Sequence, residues 1–133
     1  MIPQKLTKAA SAYDMLIPHS LEIEPGEIRT IGLRVKIQFP RHISAILHTK
    51  SSQVKLNAVF FLGGVIDSDY IGNIHIILLN SGKTTEKFMI GEAICQMKLY
   101  KDISIKMREG FNKKNTERGE LKFGEATLRK IQK

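Results

Sequence analysis

Tryptophan is absent from this 133-residue chain, cysteine occurs once and proline only four times. The lone thiol, Cys95, excludes an intrachain disulfide framework, and no cysteine–histidine spacing suggests zinc. No apolar run reaches the roughly 20 residues that a membrane-spanning helix needs. The opening residues, Met1-Ile2-Pro3-Gln4-Lys5-Leu6, lack the apolar centre of a secretory signal. The expectation is an intracellular protein, cytoplasmic or nuclear, without a membrane partner. Aromatic residues make up only 7% of the chain, and the basic end has no interleaved rings of the kind that stack bases. Nucleic acid is therefore not an expected partner, although the net charge is +8.

That charge is uneven. Residues 1–97 carry ten Lys or Arg against eight Asp or Glu, whereas residues 98–133 carry eleven against five. The length suits one domain that buries about two-thirds of its unfolded surface. Short β-branched and apolar segments recur between turn signals: residues 21–24, 28–39, 43–47, 57–62, 74–79, 88–90 and 93–100. Pro25-Gly26 and Pro40 punctuate them. This rhythm predicts an all-β sandwich or barrel. No segment holds a helical period over three turns, and residues 51–56 are too short a stretch to decide. The division expected is a β domain over residues 1–100 and a charged C-terminal strand and arm over residues 101–133, which reads as flexible.

The stretch most able to carry chemistry is Gly63-Gly64-Val65-Ile66-Asp67-Ser68-Asp69-Tyr70-Ile71-Gly72-Asn73. Glycines and aspartates between two apolar runs predict a tight hairpin holding carboxylates and a ring. On composition alone a plain surface turn competes with a functional one. From Gly64 to Asn73 the stretch matches every fixed position of the motif G-V-I-D-x-D-Y-x-G-E/N, and so resembles the third motif of the trimeric dUTPase family. Four further segments are similar to the family's other motifs, in the family's order. Ala12-Tyr13-Asp14-Met15 resembles A-G-Y-D-L without its glycine, and Lys50-Ser51-Ser52 resembles R/K-S-S. Gly91-Glu92-Ala93-Ile94-Cys95-Gln96-Met97 resembles G-D/E-x-I-A-Q-L/M. Arg118-Gly119-Glu120-Leu121-Lys122-Phe123-Gly124-Glu125-Ala126-Thr127 resembles R-G-x-x-G-F-G-S-T-G, with a changed ending.

The resemblance implies a jelly-roll-type β-barrel, a homotrimer with sites at subunit interfaces, and Mg2+-assisted hydrolysis of dUTP to dUMP and pyrophosphate. That reaction limits uracil incorporation into DNA and supplies dUMP for dTMP synthesis. The resemblance implies that Asp67 orients and deprotonates the attacking water, and that Tyr70 packs on the deoxyribose and leaves no room for a 2′-hydroxyl. Asp69 is expected on the opposite face, bracing the hairpin. By the same resemblance Lys50, Ser51 and Gln96 contact phosphate. Ser52 belongs to that turn, although turn serines ordinarily satisfy local backbone. Asp14 would hold waters around the metal, and main-chain groups of Gly64, Val65 and Ile66 would read uracil. Of Phe60 and Phe61, alternation sends one to the pocket and one to the core. Arg118, Phe123 and Gly124 would close over the nucleotide, Phe123 by stacking. Glu125 sets a negative charge beside a triphosphate, and Lys122 replaces a glycine. These departures mark a divergent member, viral or otherwise. They leave two readings: a working dUTPase of reduced efficiency, or a dUTPase-fold binding or signalling module that is weak or inactive in catalysis.

Overall fold

Alternation of apolar and polar side chains decides which segments can bury one face, and the strands follow it. The structure, a computed structural model, describes residues 1–53, 58–107 and 109. It divides into a unit of Met1–Ile103 and a second of Ser104–Lys133, and most of the second lies outside the described residues. Among the described residues nine strands form: β1 (Tyr13–Leu16), β2 (Leu21–Ile23), β3 (Ile28–Gly32), β4 (Ile43–Thr49), β5 (Val59–Leu62), β6 (Val65–Ile66), β7 (His75–Asn80), β8 (Glu86–Phe88) and β9 (Ala93–Lys101). Only residues 51–53 of those described are helical, and none of these residues forms a helix able to cross a membrane. The all-β expectation holds.

The strands pair antiparallel in three sheets, ordered β1-β9-β4-β6, β3-β7-β5 and β2-β8. In the first sheet Met15 faces Cys95, and Met97 lies between Tyr13 and Leu47. Ala45 and Ile66 continue the same inward face. In the second sheet Ile31 opposes Ile76, and Leu78 opposes Phe61. These inward rows merge into one core with Ile17, Ile23, Leu33 and Phe88. Each such side chain, fully buried, contributes about 1.5–3 kcal/mol from transfer alone. Burial pushes the Cys95 thiol up to about 12; the nearby Asp14 carboxylate adds to the shift and Lys50 opposes it. The thiol is therefore neutral and unreactive at ordinary pH.

Two expectations change. The apolar run over residues 28–39 is not one strand: pairing stops at Gly32, and Arg34 adopts a left-handed φ of 55°. Leu33, Val35 and Phe39 are still buried, so the run supplies core side chains from irregular backbone. Its polar groups are met by β7's approach, with the Leu33 amide donating to Ile74 O at 2.8 Å and the Ile74 amide to Val35 O at 2.8 Å. The strand expected over residues 88–90 instead spans Glu86–Phe88, because only there does β2 supply partners. Met89 and Ile90 are left 60% and 61% exposed.

Asn80 is the one buried polar residue among the described core positions, and it is fully engaged. Its Nδ2 donates to Ile23 O and Thr84 O, each at 2.8 Å, and its Oδ1 accepts from the Gly82 amide at 2.9 Å. It thereby joins β2, the end of β7 and the turn beyond. Asn80→Ala should strand those groups and lower stability by about 1–3 kcal/mol or more. A urea titration should show this as a lower midpoint at unchanged slope.

Candidate functional site

β1, β9 and β4 lie side by side, so residues directly opposed across them share a face. Asp14 opposes Gln96, and Gln96 opposes His48. This polar row lies on the face turned away from Met15, Cys95 and Met97. Lys50 follows β4 immediately, and its Nζ donates to Asp14 Oδ1 at 2.8 Å, both side chains being 22% exposed. Residues 51–53 turn into a helix beside it, and the Gln53 amide donates to Lys50 O at 3.0 Å. A cavity of about 430 Å³ is lined by Asp14, Lys50, Ser51, Ser52 and Gln96, with Leu6, Ala10, Ser11 and Ala12 as its other wall. A half-buried cation paired with Asp14, three serine hydroxyls and an amide in one cleft suit an anion with several oxygens.

The hairpin forms the second group. The Tyr70 amide donates to Asp67 O at 3.1 Å, closing a turn with Asp at its first position, where Asp is favoured. The Tyr70 hydroxyl folds back to donate to Asn73 O at 2.7 Å. Gly72 permits that fold, since a Cβ there would stand 2.5 Å from the hydroxyl oxygen. Asp67, Tyr70, Val65, Ile66, Ile74 and His75 line a cavity of about 210 Å³. Asp67 and Tyr70 are exposed, as is Asp69, which sits in a turn and not on a strand, so strand alternation does not govern it. β4 carries the hairpin: the Leu47 amide donates to Gly64 O at 2.8 Å, and Thr49 Oγ1 accepts from the Phe61 amide at 3.0 Å.

Thus the structure gathers Asp14, Lys50, Ser51, Ser52 and Gln96 at one cavity and Val65, Ile66, Asp67 and Tyr70 at another. The two cavities share no lining residue. Arg118, Phe123 and Gly124 lie outside the described residues. Phe61 packs on the core, while Phe60 is 38% exposed and lines neither cavity. Among the described residues no cluster of three or more His, Cys, Asp or Glu is placed to hold a metal, and Asp14 is the one carboxylate among the residues lining the larger cavity.

Three residues escaped the sequence reading. Gln53 Nε2 donates to Ala93 O at 3.4 Å, linking the Lys50–Ser52 turn to the start of β9, and its Oε1 is buried without a partner among the described residues. His75 lines the hairpin cavity, and His48 extends the polar row beyond Gln96. Only strand register, which no motif prints, could have pointed to the histidines.

A family model described as dUTPase matches residues 1–127. The Pol polyprotein of caprine arthritis encephalitis virus (strain Cork) is 33% identical over 114 residues, which are 86% of this chain. The chain spans only 10% of that polyprotein. The deoxyuridine 5′-triphosphate nucleotidohydrolase of Variola virus is 31% identical over 127 residues, covering 96% of this chain and 86% of the relative. Among solved structures, the G164S mutant of Staphylococcus bacteriophage 80alpha dUTPase with dUpNHpp aligns at a TM-score of 0.87 and 19% identity, over 95% of this chain and 91% of that one. Native EIAV dUTPase aligns at 0.75 and 25%, over 86% and 93%. The fold expectation is met.

Gly64 has a φ of 130°, and a Cβ on it would stand 2.7 Å from both Leu47 O and a Phe61 ring carbon. Gly64→Ala should therefore pry the hairpin from β4 at a cost of about 1–3 kcal/mol. Thermal unfolding should register the loss of stability.

Proposed function

The chain belongs to the dUTPase family, and we propose that it hydrolyses dUTP to dUMP and pyrophosphate. The observation that carries this reading is the hairpin, which brings Asp67 and Tyr70 to one small cavity in a chain matched by the family over residues 1–127. Asp67 is the base: exposed at the cavity, its carboxylate orients a water and takes its proton as the water attacks the α-phosphorus. The bond from that phosphorus to the bridging oxygen breaks, and pyrophosphate leaves. Lys50, Ser51 and Gln96 supply a cation, a hydroxyl and an amide for the phosphate charge. Ser52 adds a second hydroxyl at the same turn. Main-chain groups of Gly64, Val65 and Ile66 read the base. Arg118, Phe123 and Gly124 act from the C-terminal arm.

The donor set fits Mg2+. That ion keeps several waters and is ordinarily held by one or two carboxylates together with substrate phosphates. Asp14, the one carboxylate lining the cavity and paired with Lys50, suits such an ion and would orient its waters. When bound, the metal would neutralise phosphate charge.

The assembly in this reading is a homotrimer. Within one chain the residues read as phosphate ligands and the hairpin line separate cavities, which supports a site completed by the hairpin of another subunit. Val65 and Ile71 on the hairpin, 73% and 77% exposed, offer apolar surface for that contact.

Release of pyrophosphate from dUTP, and not from dCTP, tests the activity. Asp67→Asn should keep nucleotide binding and lower kcat by about 10²–10⁴, the usual worth of a general base. A near-normal kcat would remove Asp67 from that role. Tyr70→Ala should narrow the ratio of kcat/KM between dUTP and UTP, since the ring's bulk excludes the 2′-hydroxyl. An unchanged ratio would take Tyr70 out of the sugar site.

A further inference from the structure

Gly32 ends β3 directly opposite His75, in ordinary strand backbone, so its conformation does not call for glycine. Space does. A Cβ there would stand 2.8 Å from Asn73 Nδ2, and 3.2 and 3.3 Å from Nε2 and Cδ2 of His75. Glycine inside a strand often marks such a close approach. Asn73 is held at that seat by its neighbour: the Ile74 amide donates to Val35 O and the Leu33 amide to Ile74 O, both at 2.8 Å. Its own Oδ1 is buried without a partner among the described residues. An orphan buried oxygen is costly, and it persists where the residue is kept in place for another reason. The main chain supplies one, because Asn73 O accepts the Tyr70 hydroxyl at 2.7 Å. Tyr70 is 42% exposed and lies on no strand, so that bond sets where its ring stands. A line of contact therefore runs from Gly32 through Asn73 to Tyr70, at the cavity that His75 also lines.

We propose that Gly32 is a specificity-determining position, acting through Asn73 to hold the Tyr70 ring where it shuts out a ribose 2′-hydroxyl. This inference rests on the reading of Tyr70 as the ring against the deoxyribose. Gly32 lines neither cavity, so it is a positioning residue. Rejection of an added hydroxyl by a ring is steric, and it lasts only while the ring stays in place. A side chain at position 32 displaces Asn73 from its seat, with the His75 ring closing the space beside it. The Tyr70 hydroxyl then loses the acceptor that orients it. The ring swings aside, and UTP gains where dUTP, which has no 2′-hydroxyl to exclude, loses little.

The test is steady-state hydrolysis of dUTP and UTP by the full chain, Gly32→Ala, Gly32→Val and Tyr70→Phe, with Gly32→Ala also made in a Tyr70→Ala background. Valine suits a strand, so its effect reads crowding and not loss of β structure. The ratio of kcat/KM for dUTP over UTP should fall about tenfold in Gly32→Ala, part of the roughly hundredfold by which pockets reject an added hydroxyl. Gly32→Val should lower it further, chiefly by raising kcat/KM for UTP. Tyr70→Phe, which removes the anchor without crowding β3, should lower the ratio as well. Once Tyr70 is replaced by alanine, Gly32→Ala should change the ratio less than about twofold, since both substitutions act on one ring. General destabilisation would instead lower both substrates together and leave the ratio alone. A ratio unmoved by Gly32→Ala and Gly32→Val overturns the inference; should neither variant fold, a ratio unmoved by Tyr70→Phe does so. If Tyr70→Ala still narrows the ratio, the sugar reading stands without it. An equal effect of Gly32→Ala with and without the Tyr70 ring also overturns it. A wild type with no turnover of dUTP overturns the functional reading, and this inference with it.

Discussion

Seven consecutive residue pairs join β4 to β9, from Ile43 opposite Lys101 to Thr49 opposite Cys95, and nearly everything else in the structure is referred to that ladder. Strand side chains alternate, so a slip of one residue would turn the whole inward face to solvent. Ala45, Leu47, Cys95 and Met97 hold the register by being buried. Once they are fixed, His48 and Gln96 have to share the opposite face, Lys50 has to emerge at the strand end, and β1 adds Asp14 to the row. β4 then presents the Leu47 amide and Thr49 hydroxyl to the hairpin. Apolar packing on one side thus sets the position of polar groups on the other.

The sequence disclosed the parts whose chemistry is local. The Gly64–Asn73 hairpin was legible because tight turns demand particular residues, and its glycines prove to be needed against Leu47 and Tyr70. The strand rhythm was legible wherever one face meets the core. It failed over residues 33–39, where buried apolar side chains sit on irregular backbone and periodicity reports burial without pairing. The place of Met89 and Ile90 was hidden for a similar reason, since apolar character does not say whether a partner strand is present.

The layout of the site was less visible. Motif order along the chain implies one constellation, yet the structure distributes it over two cavities joined through β4. Residues without a motif also enter: Gln53 ties the serine turn to β9 through Ala93, and His75 stands beside Asp67 and Tyr70 at the hairpin. Such roles depend on which strands become neighbours, a non-local outcome that no short pattern encodes.

The pairing of β1 with β9 has a consequence for how the molecule comes into being. Residues 13–16 meet their strand partners at residues 93–97, so closing that edge brings together segments some 80 residues apart. During synthesis the chain emerges N-terminus first at about 5–20 residues per second. Asp14 therefore waits several seconds for Gln96, and β4 waits a shorter time for the strand that fixes its register. Throughout that interval β1 and β4 are apolar edges without their partner. The sheet that carries Asp14 and Gln96 is thus the last to close on the ribosome, and the one most in need of protection before it does.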